Sequence, residues 1–393
     1  MIGFERKHAA LRILFCTDYL IAGGVERQVT ELATNLDRAR YAPILMCLYA
    51  DRANMPMHFG PNIEAAGIPL YSLNLGWSPA DKVYGVVKIA QIARMLKPDI
   101  LHAVNYHGNL LSRLARPFLP RGTNLIGSVR GNYTAKQLLY ERLSHHACVR
   151  VVTNGLHLRE QLVREGHLPA NKVIHIANGV DTERFARNPL PGFREQIAPG
   201  VRCLFLSVGR ISTEKRMHLL PEALGLLRRT GRLSKLDNAT LYLIILGTYG
   251  DAQSHALLEK TITENGLDTV VKCHHETHQP EAYYHAADVV ILFSPAEGMP
   301  NVVLEALAAG RPVIISEAAN AAGIIDDGVT GWVVPTGNVS ALADAMQQAL
   351  DCSPENLERM GTECRRRAQD FSMSRMVHAY EQLYDQVALG RRL

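Results

Sequence analysis

The sequence predicts an α/β protein built as two doubly wound domains in tandem, with a cleft between their sheets. Three observations predict it. Short apolar runs alternate with helix-patterned segments along the chain, as expected of parallel strands joined by crossover helices. A turn-rich stretch at residues 188–200 interrupts the alternation, which then restarts. The length of 393 residues suits two domains of ordinary size.

The first domain is expected over residues 1–190. Residues 12–16 read as a strand, and Gly23-Gly24 opens a helical pattern over 25–36. A strand over 43–49 and a helix over 83–96 lead to a strand over 99–104. Residues 109–114 read as helical and stop before Pro117, because proline disfavours helix in the residue before it. Strand 125–129, helix 136–146, strand 148–153, helix 156–165 and strand 173–176 follow. Asn178-Gly179-Val180-Asp181 reads as a hinge, in which Asn-Gly favours a turn and Asp181 caps the next segment.

Asn188-Pro189-Leu190-Pro191-Gly192 and Ala198-Pro199-Gly200 mark the expected linker. The second domain is expected over 195–372. Its strands fall at 203–208, 240–246, 270–273, 289–293 and 312–316, and its helices at 217–227, 254–264, 280–285 and from about residue 300 to Ala309. Helices over 341–350, 354–367 and 374–387 close the chain. Ligands of such sheets bind outside the carboxyl ends of the strands, so the cleft between two facing sheets is the expected site.

Composition is that of a globular protein, with 47% apolar and 20% charged residues. Seven scattered cysteines show no CxxC spacing; they read as reduced, mostly buried thiols of a cytoplasmic protein. The mixed, charged N-terminus does not read as a secretory leader, and no apolar run reaches the roughly 18 residues of a membrane span. Residues 1–190 hold 23 Lys and Arg against 14 Asp and Glu, a net of +9, while the remainder nets −5. A basic half suits an anionic partner such as a phospholipid surface, although scattered solvated charge explains it equally. The 6% aromatic content and the lack of an RNA-binding motif point away from nucleic acid.

The most informative stretch runs from Phe293 to Ala306. A strand ends, Gly298 and Pro300 make a turn, and a helix opens at Pro300 or Asn301 and stops at Gly310. Free N–H groups at a helix start favour phosphate. Glu297 precedes those donors, and Glu305 follows roughly 7 Å along the helix. Carboxylates accept hydrogen bonds from sugar hydroxyls, so a nucleoside diphosphate-sugar suits this layout. Gly209-Arg210 with Lys215 follows the first strand of the second domain; two fixed cations there can neutralise a leaving diphosphate without a metal. Gly23-Gly24 allows close approach to a phosphate or is a plain tight turn. His102, Tyr106 and His107 close one strand of the first domain, and Arg130 closes another. These four are candidates for the cleft, with a structural role as the alternative. Cys273-His274-His275-Glu276-Thr277-His278 fits no metal-ligand spacing and reads as a loop beside a nucleotide base. There is no GxGxxG or Walker sequence, which argues against a dehydrogenase.

On these residues the chain resembles glycosyltransferase family 4, retaining enzymes with the GT-B fold of two Rossmann-like domains. The resemblance covers nearly the full length. It rests on Gly23-Gly24-Val25-Glu26, Asn178-Gly179-Val180-Asp181, Gly209-Arg210 with Lys215, Glu297-Gly298-Met299-Pro300-Asn301 with Glu305, Gly328-Val329-Thr330-Gly331, and the closing helix. It implies transfer of a sugar from a UDP- or GDP-sugar to an acceptor, a lipid-linked or polysaccharide precursor, without a metal cofactor; the basic first half favours a lipid-linked acceptor at the cytoplasmic membrane face. It implies an acceptor-side first domain, onto which the closing helix (374–393) packs, and a donor-binding second domain. It assigns Arg210 and Lys215 to the diphosphate and Glu305 to the ribose. Glu297, Gly298, Met299, Pro300 and Asn301 fall to the donor sugar, the N–H groups of Val302 and Val303 to the phosphate, and Gly24 to the diphosphate from the first domain. Arg130 stands where the family often carries histidine, and 318–323 departs from its usual Gly-Gly and Glu. Two alternatives remain at this stage: a GT-B sugar-nucleotide epimerase, and a non-catalytic nucleotide-sugar-binding partner of another transferase.

Overall fold

The computed structural model describes residues 10–49, 57–131, 133–188, 190–232, 241–248, 250–275 and 277–390. The first unit holds β1 (Leu11–Thr17), β2 (Tyr41–Cys47), β3 (Leu70–Ser72), β4 (Ile100–Ala103), β5 (Asn124–Val129), β6 (Arg150–Thr153) and β7 (Val173–His175). They form one parallel sheet in the order β3-β2-β1-β4-β5-β6-β7. Helices cover both faces, which is why Ile13, Leu14, Phe15 and Cys16 of β1 are all buried and the strand reads as a continuous apolar run. The helices Pro79–Leu96, Tyr106–Ala115, Ala135–Ser144 and Leu156–Arg164 lie in one layer. Their Ile89, Ala93, Leu111, Ala115, Leu138 and Leu162 share a core with Leu14, Leu101, Leu125 and Val151 of the sheet.

The helix Met373–Leu389 belongs to this unit from Ser374 onward. It buries Tyr380 and Tyr384. The Tyr41 hydroxyl donates to the Glu381 carbonyl at 3.1 Å, and the Asp37 N–H to the Glu381 carboxylate at 3.0 Å.

The second unit spans Gly179–Met373. Its strands are β8 (Cys203–Val208), β9 (Leu241–Leu246), β10 (Val271–His274), β11 (Val289–Leu292), β12 (Val313–Ser316) and β13 (Gly331–Val334). They are parallel, in the order β10-β9-β8-β11-β12-β13. Both sheets therefore reverse direction once, between β1 and β4 and between β8 and β11. Each reversal opens a crevice at the strands' carboxyl ends.

Three sequence expectations need correction. The chain leaves the first unit at Asn178, not at the turn-rich stretch near residue 190. Val180 already pairs with Ser372, and Phe185 is buried against Tyr284 at 5.7 Å between ring centroids. Residues 188–200 are a surface excursion of the second unit that includes a short helix, Phe193–Ile197. Strands β3 and β13 also went unread, because each is an edge strand of only three or four residues. Pro189, Thr240, Glu276 and residues 391–393 of the expected elements lie outside the described residues.

Candidate functional site

In the second unit, β8 and β11 are hydrogen-bonded neighbours on either side of the reversal. The residues after β8 supply cations, and those after β11 supply a carboxylate and a helix start. Gly209 turns away at the end of β8 against Gly247, whose added Cβ would sit 2.0 Å from the Gly209 carbonyl oxygen. The following loop is pinned: Ile211 N–H donates to Thr248 O at 2.9 Å, and Thr213 N–H to Asp251 Oδ2 at 3.1 Å. It presents Arg210 exposed and Lys215 half-buried. A hydrogen bond from Ser212, aided by the Arg210 charge, holds the Glu214 carboxyl below its ordinary range.

Lys215 Nζ pairs with Glu297 Oε1. The same Oε1 accepts from Ser294 Oγ at 2.6 Å, and the Ser294 carbonyl accepts from Ser316 Oγ at 2.6 Å. The Glu297 side chain is 14% exposed and Lys215 25%, so the pair meets solvent without being loose in it. Gly298, Met299 and Pro300 are buried and carry the chain into the helix Asn301–Ala308, with Pro300 as its N-cap. No side chain caps that start; Val303 N–H donates to the Pro300 carbonyl at 3.2 Å, and the helix end at Val302 carries the positive pole of the dipole. Asn301 and Val302 are half-buried and Val303 is buried. One turn further, Glu305 is 3% exposed and accepts from the Tyr284 hydroxyl at 2.7 Å. Tyr284 is fully buried. Ser294 and Tyr284 were missed in the sequence; a polar residue closing an apolar strand was the available signal for Ser294.

His274, at the end of edge strand β10, bonds Tyr283 at 3.1 Å, and Cys273 is exposed. Among the described residues no group of three His, Cys, Asp or Glu stands close enough to hold a metal ion.

In the first unit, Gly24 opens the helix Gly24–Asn35 and is exposed. Gly23 before it lies against Glu26, whose Oε2 would stand 2.2 Å from an added Cβ. The Glu26 carboxylate thus folds back over its own helix start and also accepts from Asn105 Nδ2 at 3.1 Å. After β1, Asp18 is buried and receives the N–H groups of His107 and Gly108 at 3.1 and 2.6 Å. It therefore caps the helix Tyr106–Ala115 from a neighbouring strand. The Asp18 carboxylate also holds His107 Nδ1 at 3.2 Å. Tyr106 is half-buried, with its ring edge against Tyr140.

Two acceptor-side candidates have partners within the first unit. His102 is fully buried, with Nδ1 at 2.8 Å from the Tyr384 hydroxyl and Nε2 at 2.7 Å from Ser128 Oγ. Burial, then the Arg130 charge, push its pKa down to about 3. Both nitrogens are engaged, so this neutral ring ties the last helix to the sheet. Arg130 is half-buried: Nη1 donates to Asn178 Oδ1 at 3.0 Å and Nη2 to the Tyr380 hydroxyl at 2.8 Å, while its buried Nε meets no acceptor.

The fold defines a two-domain α/β protein of the Rossmann-like class. Residues 22–184 match the family model described as Glycosyltransferase Family 4, and residues 193–367 the one described as Glycosyl transferases group 1. The chain belongs to the family 4 glycosyltransferases, with the GT-B fold. It is 32% identical to the alpha-D-kanosaminyltransferase of Streptomyces kanamyceticus over 211 residues, 51% of each chain. It is 31% identical to the amylovoran biosynthesis glycosyltransferase AmsK of Erwinia amylovora over 183 residues, 44% of this chain and 41% of that one. The chain spans about half the length of the curated relatives it matches. In fold it is similar to Anabaena HepE solved with UDP-glucose, with a TM-score of 0.80, 20% identity, and coverage of 96% of this chain and 100% of that one.

Proposed function

We propose that the chain is a retaining glycosyltransferase that moves a hexose from a UDP- or GDP-sugar to a lipid-linked or polysaccharide precursor. The observation that carries this reading is the grouping at the β8/β11 crevice. Lys215 and Arg210 supply positive charge, the helix Asn301–Ala308 opens beside them, and Glu297 and Glu305 flank its start. A diphosphate lies between the cations and the helix N–H groups, its ribose hydroxyls donate to Glu305, and the donor sugar meets Glu297 and the 298–301 backbone. Lys215 must then share its charge between Glu297 and the leaving phosphate. The loop around Cys273 and His274 borders the base. HepE solved with UDP-glucose supports the donor class, and the naming of AmsK for amylovoran biosynthesis supports the acceptor class.

The acceptor attacks on the face from which the phosphate leaves, and the leaving phosphate takes its proton. Positioning and fixed positive charge supply most of the barrier reduction, with no metal required. The chain works at the cytoplasmic face of a membrane as a peripheral protein. Among the described residues no helix is long and apolar enough to cross a membrane. The outward sides of the helices Pro79–Leu96 and Ala135–Ser144 expose Val83, Val87, Met95 and Leu143, which supports attachment at a lipid surface. The test is a hydrolysis and transfer screen across UDP- and GDP-sugars, with and without EDTA. Turnover that retains anomeric configuration and survives EDTA is expected. Inversion, or a covalent glycosyl adduct on Glu297, would replace same-face attack with another mechanism.

A further inference from the structure

Four aromatic rings stand together where β1, β2, β3 and β4 end: Tyr19, Tyr49, Trp77 and His107. Trp77 stacks on Tyr49 with centroids 4.4 Å apart and planes 11° from parallel. His107 stands edge-on to both, at 5.7 Å from Trp77 and 5.4 Å from Tyr49. Tyr19 closes the group at 6.4 Å from Trp77. Tyr49 is 3% exposed, whereas Trp77 is 48% exposed, so the buried ring backs an open one.

The open indole is held still. Leu75, two residues before it, donates its N–H to Leu48 O at 2.9 Å. Ser78, just after it, caps the helix Pro79–Leu96 reciprocally with Asp81. A large apolar ring fixed in solvent gains nothing for folding from its exposed face. Such a face suits the C–H groups of a sugar or cyclitol ring, because the π face is electron-rich and those hydrogens are electron-poor.

Beside it, His107 Nδ1 lies 3.2 Å from Asp18 Oδ2. A carboxylate can only accept, so Nδ1 carries the hydrogen and Nε2 is the ring atom turned to other partners. Its side chain is 21% exposed.

We propose that Trp77, backed by Tyr49, is the stacking platform for a saccharide or cyclitol ring of the acceptor, and that His107 Nε2 hydrogen-bonds one of that ring's hydroxyls. This deepens the glycosyltransfer reading and rests on it. The acceptor then presents a pyranose or inositol ring to the chain, whatever is attached beyond.

The chain has two tryptophans, so a Trp332→Phe variant leaves Trp77 as the sole reporter. Methyl α-glucoside, methyl α-mannoside and myo-inositol, at millimolar concentrations, are the probes. At least one is expected to shift Trp77 emission, and His107→Gln to weaken that response about tenfold, as the loss of one hydrogen bond does. A Trp77→Phe variant, which reports from Trp332, is expected to show no shift. In the unaltered chain, saturation transfer from aromatic protons to the ring C–H groups of the same sugar is expected, and Trp77→Ala should abolish it. The proposal is overturned if no probe perturbs Trp77, or if phosphatidylglycerol vesicles shift its emission and sugars do not, which would make it a lipid contact. Donor-sugar hydrolysis by the unaltered chain is measured separately, so the glycosyltransfer reading and this one fail independently.

Discussion

Lys215 and Glu297 form an ion pair at the crevice between β8 and β11, and Ser294 donates to the same carboxylate oxygen. The ammonium assigned to the diphosphate is therefore already balanced by the carboxylate assigned to the donor sugar. Changing either partner leaves the other charge half-buried and unmatched, which costs more than the pair's net worth. Glu297→Gln is expected to lower kcat about 100-fold or more, with the donor KM shifting far less, because the carboxylate acts on the reacting sugar. Lys215→Ala is expected to weaken UDP binding about 10- to 100-fold, the scale of one hydrogen bond to a charged group. In unfolding experiments the two changes should couple by roughly 0.5–3 kcal/mol, as contacting residues do. Strict additivity would mean that the pair does not persist in solution.

Tyr284 acts through Glu305. Its hydroxyl is the donor, at 2.7 Å, to a carboxylate buried in the helix Asn301–Ala308. Tyr284→Phe keeps the ring packing and removes one hydrogen bond to charge, at a cost of about 1.5–3 kcal/mol. The expected result is a donor KM raised about tenfold, with kcat nearly unchanged, because a ribose contact is uniform between ground and transition states. Ser294→Ala is expected to do the reverse and lower kcat, since Ser294 orients Glu297. Steady-state kinetics on the two variants decides. A fall in kcat with Tyr284→Phe would place Glu305 at the reacting centre.

The two parallel sheets were legible because buried parallel strands read as apolar runs, and β1, β8 and β11 stand within two residues of where the pattern put them. The grouping of Lys215, Glu297 and the helix start was legible for the same reason, since these residues lie just past those strand ends. His102 was not. It sits inside β4, where alternate residues face opposite sides, and no local pattern tells which side meets the last helix. Tyr284, Asp18 and the Trp77 platform depend on contacts between elements distant in sequence, such as Asp18 with His107 and Gly108. A strand-by-strand reading has no access to those. The unit boundary was misplaced because prolines and glycines mark turns, whereas the real crossing at Asn178 is set by Val180 pairing with Ser372.

The buried His102 makes stability pH-dependent. Its folded pKa is about 3, against about 6.5 for an unfolded chain. A lowered value means that the unfolded chain binds the proton more readily, so stability is full above about pH 6.5 and falls as pH drops towards 3. The slope from this one group reaches about 1.4 kcal/mol per pH unit. Protonation would also set a cation beside Arg130 and make both ring nitrogens donors toward the Tyr384 and Ser128 hydroxyls. His102→Gln, which does not titrate, is expected to be less stable at pH 7.5 and to lose less stability between pH 6.5 and 4. Chemical denaturation across that range is the measurement. Parallel slopes for the two proteins would remove His102 as the cause.

Val83 and Val87 lie one helical turn apart on the exposed side of Pro79–Leu96, with Met95 two turns beyond. Lys88 lies over the Tyr84 ring at 5.3 Å on the same helix. Residues 77–150 carry 11 Lys and Arg against 3 Asp and Glu. Apolar side chains that enter a headgroup layer from a basic segment should bind anionic bilayers better than neutral ones, at about 1 kcal/mol per basic residue near the surface. Pelleting with phosphatidylglycerol vesicles is expected to exceed pelleting with phosphatidylcholine and to weaken as salt shortens the screening length. Val83→Glu with Val87→Glu is expected to abolish pelleting, because two carboxylates must then enter the interface. Both positions are solvent-facing, so the fold should tolerate the change within about 0.5 kcal/mol each. Binding indifferent to lipid charge, to salt and to these substitutions would detach this helix from the membrane and return its exposed face to ordinary surface.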